Sequence, residues 1–293
     1  MKKNYLTLLF LCCLGWGSAQ TTLQVVTKTV QKTVAWRPGY ELAIDGEKAE
    51  VQVDPGADNN INIRAELSAK NPDLNAAKSD LEAWKFIVTT IGKKIYIRAY
   101  IGILGNSKPP ESNMKVKIIV TIPPSCPVNL TNKFGKARLE KLISTIVLTG
   151  EFCQFTLVNL SGSVKVESQY GNVDGRQLSG PVDVQSKRAD IKFSGLTNSC
   201  NVHSDYGTVQ IETTARTGDI NVHATKSDVT LEGSAQTSHN LQLQSSYGEL
   251  VAPGNIGLDT GGSSDNVKKG NLYRSNRTKK ITVETTFGKI QLK

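Results

Sequence analysis

Apolar residues recur along this chain as apolar-x-apolar pairs at a fixed interval. Val128/Leu130, Ile146/Leu148, Val164/Val166, Val182/Val184 and Cys200/Val202 follow one another every 18 residues. The series continues, slightly stretched, at Ile220/Val222, Leu241/Leu243 and Ile281/Val283. A second column lies nine residues after the first: Ala137/Leu139, Phe155/Leu157, Val173/Gly175, Ile191/Phe193, Val209/Ile211, Val229/Leu231, Leu250/Ala252 and Ile290/Leu292. Alternation within a pair points two side chains to one face of a strand. Two short strands per repeat, stacked repeat on repeat, bring like positions to about 4.8 Å from one another in a parallel sheet. The inward columns then form Val/Ile/Leu ladders that no single repeat could bury alone. The pattern predicts an all-β, single-domain parallel β-helix with coils of 18–20 residues. The general rule for parallel crossovers makes it right-handed. Gly175 interrupts its column and marks a gap or a bulge.

Between the two strands lies a turn with its own signature. It reads Lys133-Phe134-Gly135-Lys136, Gln169-Tyr170-Gly171-Asn172, Asp205-Tyr206-Gly207-Thr208, Ser246-Tyr247-Gly248-Glu249 and Thr286-Phe287-Gly288-Lys289. Glycine there suits a corner that a β-carbon would oppose. Intervening coils place Cys153, Ala189 and Ser227 at the same position, so two coil types alternate.

Outside residues 128–250 the beat is less regular. Leu42/Ile44, Val51/Val53 and Ile61/Ile63 keep it, and residues 73–84, opening on Asp73 after Pro72, read as the one short helix. Residues 20–127 are therefore expected to form an N-terminal cap with irregular coils. Residues 251–293 are expected to hold an irregular loop and the last coil.

Composition adds a compartment. Lys2 and Lys3, the apolar run Leu6–Leu14 and the small residues Gly17-Ser18-Ala19 read as a secretory signal over residues 1–19. The location implied is periplasmic or extracellular. That run is too short to span a bilayer, and no later segment is apolar enough to do so. Thirty-five Lys and Arg stand against 26 Asp and Glu, a net charge of +9. The excess is spread along the chain and reads as a basic solvated surface compatible with anionic partners. An exported chain with this pattern is not expected to bind nucleic acid. Beyond the leader, Cys126, Cys153 and Cys200 form no disulfide framework, although one Cys126–Cys153 bridge is allowed by the compartment.

The repeated aromatic-Gly turn followed by an apolar-x-apolar pair resembles the secreted bacterial adhesin-like families of unknown function, which are single-domain β-solenoids behind an N-terminal signal. The resemblance covers Leu42 to Lys293 and is clearest from Val128 to Leu250. It implies a fold and an exported location and supplies no active-site residue.

The candidate site is the column just before the turn glycine. It holds Phe134, Phe152, Tyr170, Arg188, Tyr206, Lys226, Tyr247 and Phe287. Arg and Lys cannot point into a dry core without partners, so the column is expected to face outward with cations stacked between rings. Tyr170, Arg188, Tyr206, Lys226 and Tyr247 are its candidate binding residues, for a glycan or an anionic envelope polymer. A ladder that only stabilises the fold, in a structural envelope protein, is the alternative. A polysaccharide lyase or glycosidase is the third reading. Asp190 and Asp228 recur at equivalent turn positions two coils, about 10 Å, apart. That spacing only reaches the inverting range, and a salt-bridged corner with Arg188 and Lys226 explains them as well. No nucleophile–base pattern is present, so no catalytic residue and no cofactor are expected. His203 and His223 face outward on adjacent coils without further ligands, and no metal is expected. Lys268, Lys269, Arg274, Arg277, Lys279 and Lys280, with Tyr273, form a basic stretch that could meet an anionic surface.

Overall fold

The computed structural model describes residues 22–102 and 108–293. The leader read over residues 1–19 lies outside the described residues. Among the described residues there are twenty strands and two short helices, and the protein is all-β.

The register of the middle coils follows the 18-residue beat. Val128 pairs with Ile146, Ile146 with Val164, Val164 with Val182, and Val182 with Cys200, all in parallel strands. Cys200 pairs with Ile220 across a longer connection. The second column stacks in the same way, from Ala137 through Phe155, Val173, Ile191 and Val209 to Val229. Both columns are buried. A third inward column, Leu142, Leu160, Leu178 and Leu196, closes the interior, and each of its members is at most 1% exposed. Its 18-residue spacing was readable in the sequence and was missed.

Gly175 is neither a gap nor a bulge. It lies in register between Leu157 and Phe193, and the Phe193 ring fills the space its missing side chain leaves. Gly150 accommodates the Phe155 ring in the same manner. Large and small residues thus interdigitate along the axis.

At the ends, chain order and stacking order differ. The pair Leu42/Ile44 stacks between Val128/Leu130 on one side and Ile95/Ile97 on the other. Val51 likewise lies between Ala137 and Ile118. The coil Glu41–Pro55 is therefore flanked by a later one built from Lys94–Ile101 and Asn113–Ile122. Ile61 and Ile63 do not continue the parallel beat. Their strand, Asn60–Asn71, runs antiparallel to both Asn113–Ile122 and Gln24–Ala35. At the other end Ile220 pairs with Ile281, and Ile281 with Leu241. The final coil of the chain thus inserts between two earlier ones. Residues 251–293, expected to hold an irregular loop and the last coil, also contain the strand Val267–Leu272, which runs antiparallel to Asn240–Ser246.

The predicted helix forms at Leu74–Leu81, with the Asp73 side chain accepting a hydrogen bond from the Asn75 amide. A second, one-turn helix at Ala235–Ser238 was not anticipated.

Candidate functional site: the corner ladder

Nine coils turn their first corner, among the described residues, through a residue in the left-handed region. Lys48, Phe134, Phe152, Tyr170, Arg188, Tyr206, Lys226, Tyr247 and Phe287 have φ between 49° and 58°. None is β-branched, as expected where a branched Cβ would crowd the backbone. The following glycine serves a different purpose from the one its sequence position suggested. A Cβ on Gly171 or Gly207 would lie 2.1 Å from the carbonyl oxygen of Cys153 or Ala189 in the neighbouring coil. Close approach between coils, rather than positive φ, excludes a side chain there. Three corner carbonyls are satisfied from inside by buried hydroxyls. Ser168 Oγ donates to the Gly171 carbonyl (2.8 Å), Ser245 Oγ to Gly288 (2.8 Å) and Thr285 Oγ1 to Ser227 (3.1 Å).

This backbone projects the corner side chains outward, one above another. Phe134 stacks on Phe152 with centroids 5.2 Å apart, and Phe152 on Tyr170 at 4.7 Å. The Arg188 guanidinium lies 5.5 Å from the Tyr170 centroid and 5.7 Å from that of Tyr206. Lys226 Nζ sits 4.9 Å from the Tyr206 centroid. Arg188 also donates to the Tyr170 hydroxyl (3.4 Å) and Lys226 to that of Tyr206 (3.1 Å). The rings are 39–61% exposed, so the ladder is a surface feature.

Of the candidate residues, Tyr170, Arg188, Tyr206 and Lys226 form a continuous run. Tyr247 does not extend it directly, because the inserted last coil puts Phe287 between Lys226 and Tyr247. Tyr247 stacks on Phe287 at 5.2 Å. Lys48, which begins the column beside Phe134, was missed in the sequence because Ala49 stands where the turn glycine would be.

Asp190 and Asp228 form no ion pair with Arg188 or Lys226, which corrects the salt-bridged corner. Asp190 Oδ1 accepts from the Thr208 amide (3.0 Å) and hydroxyl (2.8 Å), and Asp228 Oδ1 from the Lys289 amide (2.8 Å). Both cap the backbone of the next coil.

Beside the ladder, an open groove of about 560 Å³ runs along the outer face of the first strands, with Gln185, His203, Asp205, His223 and Glu284 on its walls. His203 and His223 stack at 5.2 Å, and His223 Nδ1 is 3.4 Å from Glu284. Among the described residues no group of three or more His, Cys, Asp or Glu is arranged to hold a metal ion. Another groove of about 580 Å³ lies at the Phe134 end, where Lys48, Lys115, Lys117 and Lys136 meet Glu50 and Glu66.

The three described cysteines are buried free thiols, so the allowed Cys126–Cys153 bridge is absent. Burial pushes Cys126 and Cys200 up to about 12 and Cys153 to about 11, which leaves each protonated and unreactive. The basic stretch is partly structural. Arg277 donates to the Gln236 and His239 carbonyls and Lys279 to that of Ala215. No helix among the described residues is long and apolar enough to cross a membrane.

No curated protein matches the chain. Among solved structures, it is similar to a "putative cell adhesion protein" from Clostridium sporogenes ATCC 15579, with 12% identity, 91% of this chain and 99% of that one covered, and a TM-score of 0.28. A "putative adhesin" from Bacteroides fragilis NCTC 9343 shows 11% identity over 91% and 97% of the two chains, with a TM-score of 0.40. A "putative lipid binding protein" from Parabacteroides distasonis ATCC 8503 shows 9% identity over 91% and 96%, with a TM-score of 0.38. The Toastrack DUF4097 family model matches residues 40–293, from the first stacked coil to the end of the last, and the chain belongs to that family.

Proposed function

We propose that this protein is an exported, non-enzymatic binding module, a right-handed β-solenoid over residues 20–293 that recognises glycans or anionic envelope polymers along its corner ladder. The observation that carries the reading is the run Tyr170–Arg188–Tyr206–Lys226. Its rings are exposed, and among the described residues neither cation forms an ion pair. The ring faces are taken up within the ladder, so the surface presents ring edges and tyrosine hydroxyls to sugar groups, and the unpaired cations offer donors to anionic groups. Asp190 and Asp228 each accept from a backbone amide, which favours a capping role over acid–base work. The test is binding of the purified protein to an array of neutral and acidic polysaccharides. Wild type should bind, and a Tyr170→Asn/Tyr206→Asn variant, chosen because Asn tolerates the left-handed backbone, should lose binding while melting as a folded protein. Unchanged binding by that variant removes the ladder as the site. Cell fractionation tests export.

A further inference from the structure

We infer that the ligand is a linear polysaccharide carrying one carboxylate or sulfate per disaccharide, laid along the coil axis. This rests on the ladder being a glycan-binding surface and adds the charge spacing of the glycan. Arg188 and Lys226 are not on neighbouring coils. Tyr206 stands between them, so two coil steps, about 9.6 Å along the axis, separate the cations. In an extended polysaccharide that is the length of one disaccharide unit. The sequence of rungs, Tyr170, Arg188, Tyr206, Lys226, Phe287, alternates a ring with a charge. A chain with an anion on every second sugar meets a cation at each anion and the edge and hydroxyl of a neutral ring at each sugar between. An anion on every sugar would set half of its charges against rings.

The donors needed for this are free. Arg188 uses one of its five N–H groups on the Tyr170 hydroxyl, and Lys226 uses one of three on that of Tyr206. The acidic groups closest in sequence are committed elsewhere: Asp190 and Asp228 hold backbone amides of the next coil. Asp205, next to Tyr206, is not committed in this way: it stands on the groove wall without an ion pair among the described residues, and Lys187, in register on the preceding coil, sets a positive charge next to it. The adjoining groove supplies a second row of partners at the same coil spacing. Gln185, His203 and His223 stand three residues before Arg188, Tyr206 and Lys226, where they can exchange hydrogen bonds with sugar hydroxyls.

The experiment compares three probes by calorimetry on the intact protein: hyaluronan hexasaccharide (one carboxylate per disaccharide), hexagalacturonate (one per sugar) and neutral cellohexaose. Hyaluronan is expected to bind most tightly. Arg188→Gln and Lys226→Gln should each weaken it about tenfold, the loss expected for one charge-assisted hydrogen bond. Wild-type affinity should fall as salt rises, a readout that needs no variant. Equal or tighter binding of hexagalacturonate overturns the spacing. Equal binding of cellohexaose, unaffected by either substitution or by salt, overturns the anionic ligand while leaving the glycan reading intact. No binding of any probe by a protein with an intact melting transition overturns both.

Discussion

Gly175 offers the sharpest test of how the interior is packed. A Cβ built on Gly175 would lie 2.6 and 2.8 Å from Cδ1 and Cε1 of Phe193 and 2.8 Å from Cδ1 of Leu178. Carbon atoms in a core rest at about 3.5–4.0 Å, so Gly175→Ala falls short by roughly an ångström against three atoms. Two of them belong to a stiff ring that is 1% exposed and has nowhere to move. Overpacking of this kind costs about 1–3 kcal/mol. Phe193→Leu alone opens a void and is expected to cost about 1–2 kcal/mol, below the range for truncation to Ala. In the double variant the new methyl enters the space the ring has left. The two losses should then overlap, with a favourable coupling of about 1 kcal/mol or more. Urea unfolding followed by circular dichroism measures all four proteins, provided the slope stays constant across them. Each kcal/mol should also move the melting temperature by about 2–4 °C for a chain near this size. Losses that add to within about 0.5 kcal/mol, or a neutral Gly175→Ala, would show that the ring does not occupy the glycine's space.

Four further outcomes follow from the same geometry. Tyr206→Asn should lose about 1–2 kcal/mol, the sum of two exposed cation–ring contacts, whereas Tyr206→Val should lose about 1–2 kcal/mol more because its branched Cβ opposes the left-handed corner; melts in which Val equals Asn would contradict this. Gly207→Ala, whose Cβ would meet the Ala189 carbonyl oxygen at 2.1 Å, should destabilise more than the reverse change Ala189→Gly in the neighbouring coil, which costs only about 0.5–1 kcal/mol of backbone entropy. His239 is fully buried, with Nε2 against the Thr217 carbonyl, and burial lowers its pKa from the ordinary 6.5. The unfolded chain therefore takes up the proton first, so this stability is whole above about 6.5 and drains as pH falls toward the folded value; the drop in melting temperature between about pH 7.5 and pH 5 should shrink in His239→Asn. Truncation before Lys280 should abolish protection of the Val229 amide, which donates to the Lys289 carbonyl, while the amides of Ile220–Gly233 that face Cys200–Thr213 stay protected; protection retained at Val229 would refute the inserted position.

The middle of the molecule was legible because one physical demand repeats. Val164, Val182 and Cys200 must lie over one another to be dry, so their 18-residue spacing is also their register. The outward ladder was legible for the converse reason: Arg188 and Lys226 cannot be buried unpaired, so the aromatic residues sharing their column had to be exposed too. The origin of the corner was not legible. Phe, Tyr, Arg and Lys are not residues that announce a left-handed backbone, and the glycine beside them is the residue type that such a corner ordinarily takes. Asp190 and Asp228 were misread for a related reason. A carboxylate next to a cation in sequence looks paired, yet the strand geometry turns it toward the amide of the next coil.

The order of the end coils could not be read from periodicity, since Leu241/Leu243 and Ile281/Val283 carry the same pattern and either would stack on Ile220/Val222. What decides between them is the covering strand. Val267–Leu272 pairs antiparallel with Asn240–Ser246, so that coil must be outermost, and the last coil can only enter behind it. The other end obeys the same logic. Trp84–Ile91 returns antiparallel on Lys94–Ile101 through a turn at Gly92, which has φ of 59°, and forces Glu41–Glu47 inward. A stack of parallel coils has two open edges, each a template for further strands, and an antiparallel return is the shortest way to cover one. Lys28 and Lys32 on Gln24–Ala35, and Lys268 and Lys269 on Val267–Leu272, then place charge on the outermost strands at both ends, where it opposes end-to-end growth. The ends are thus built to stop the repeat, and the ladder that the repeat generates is left as the long continuous surface on which a polymer could lie.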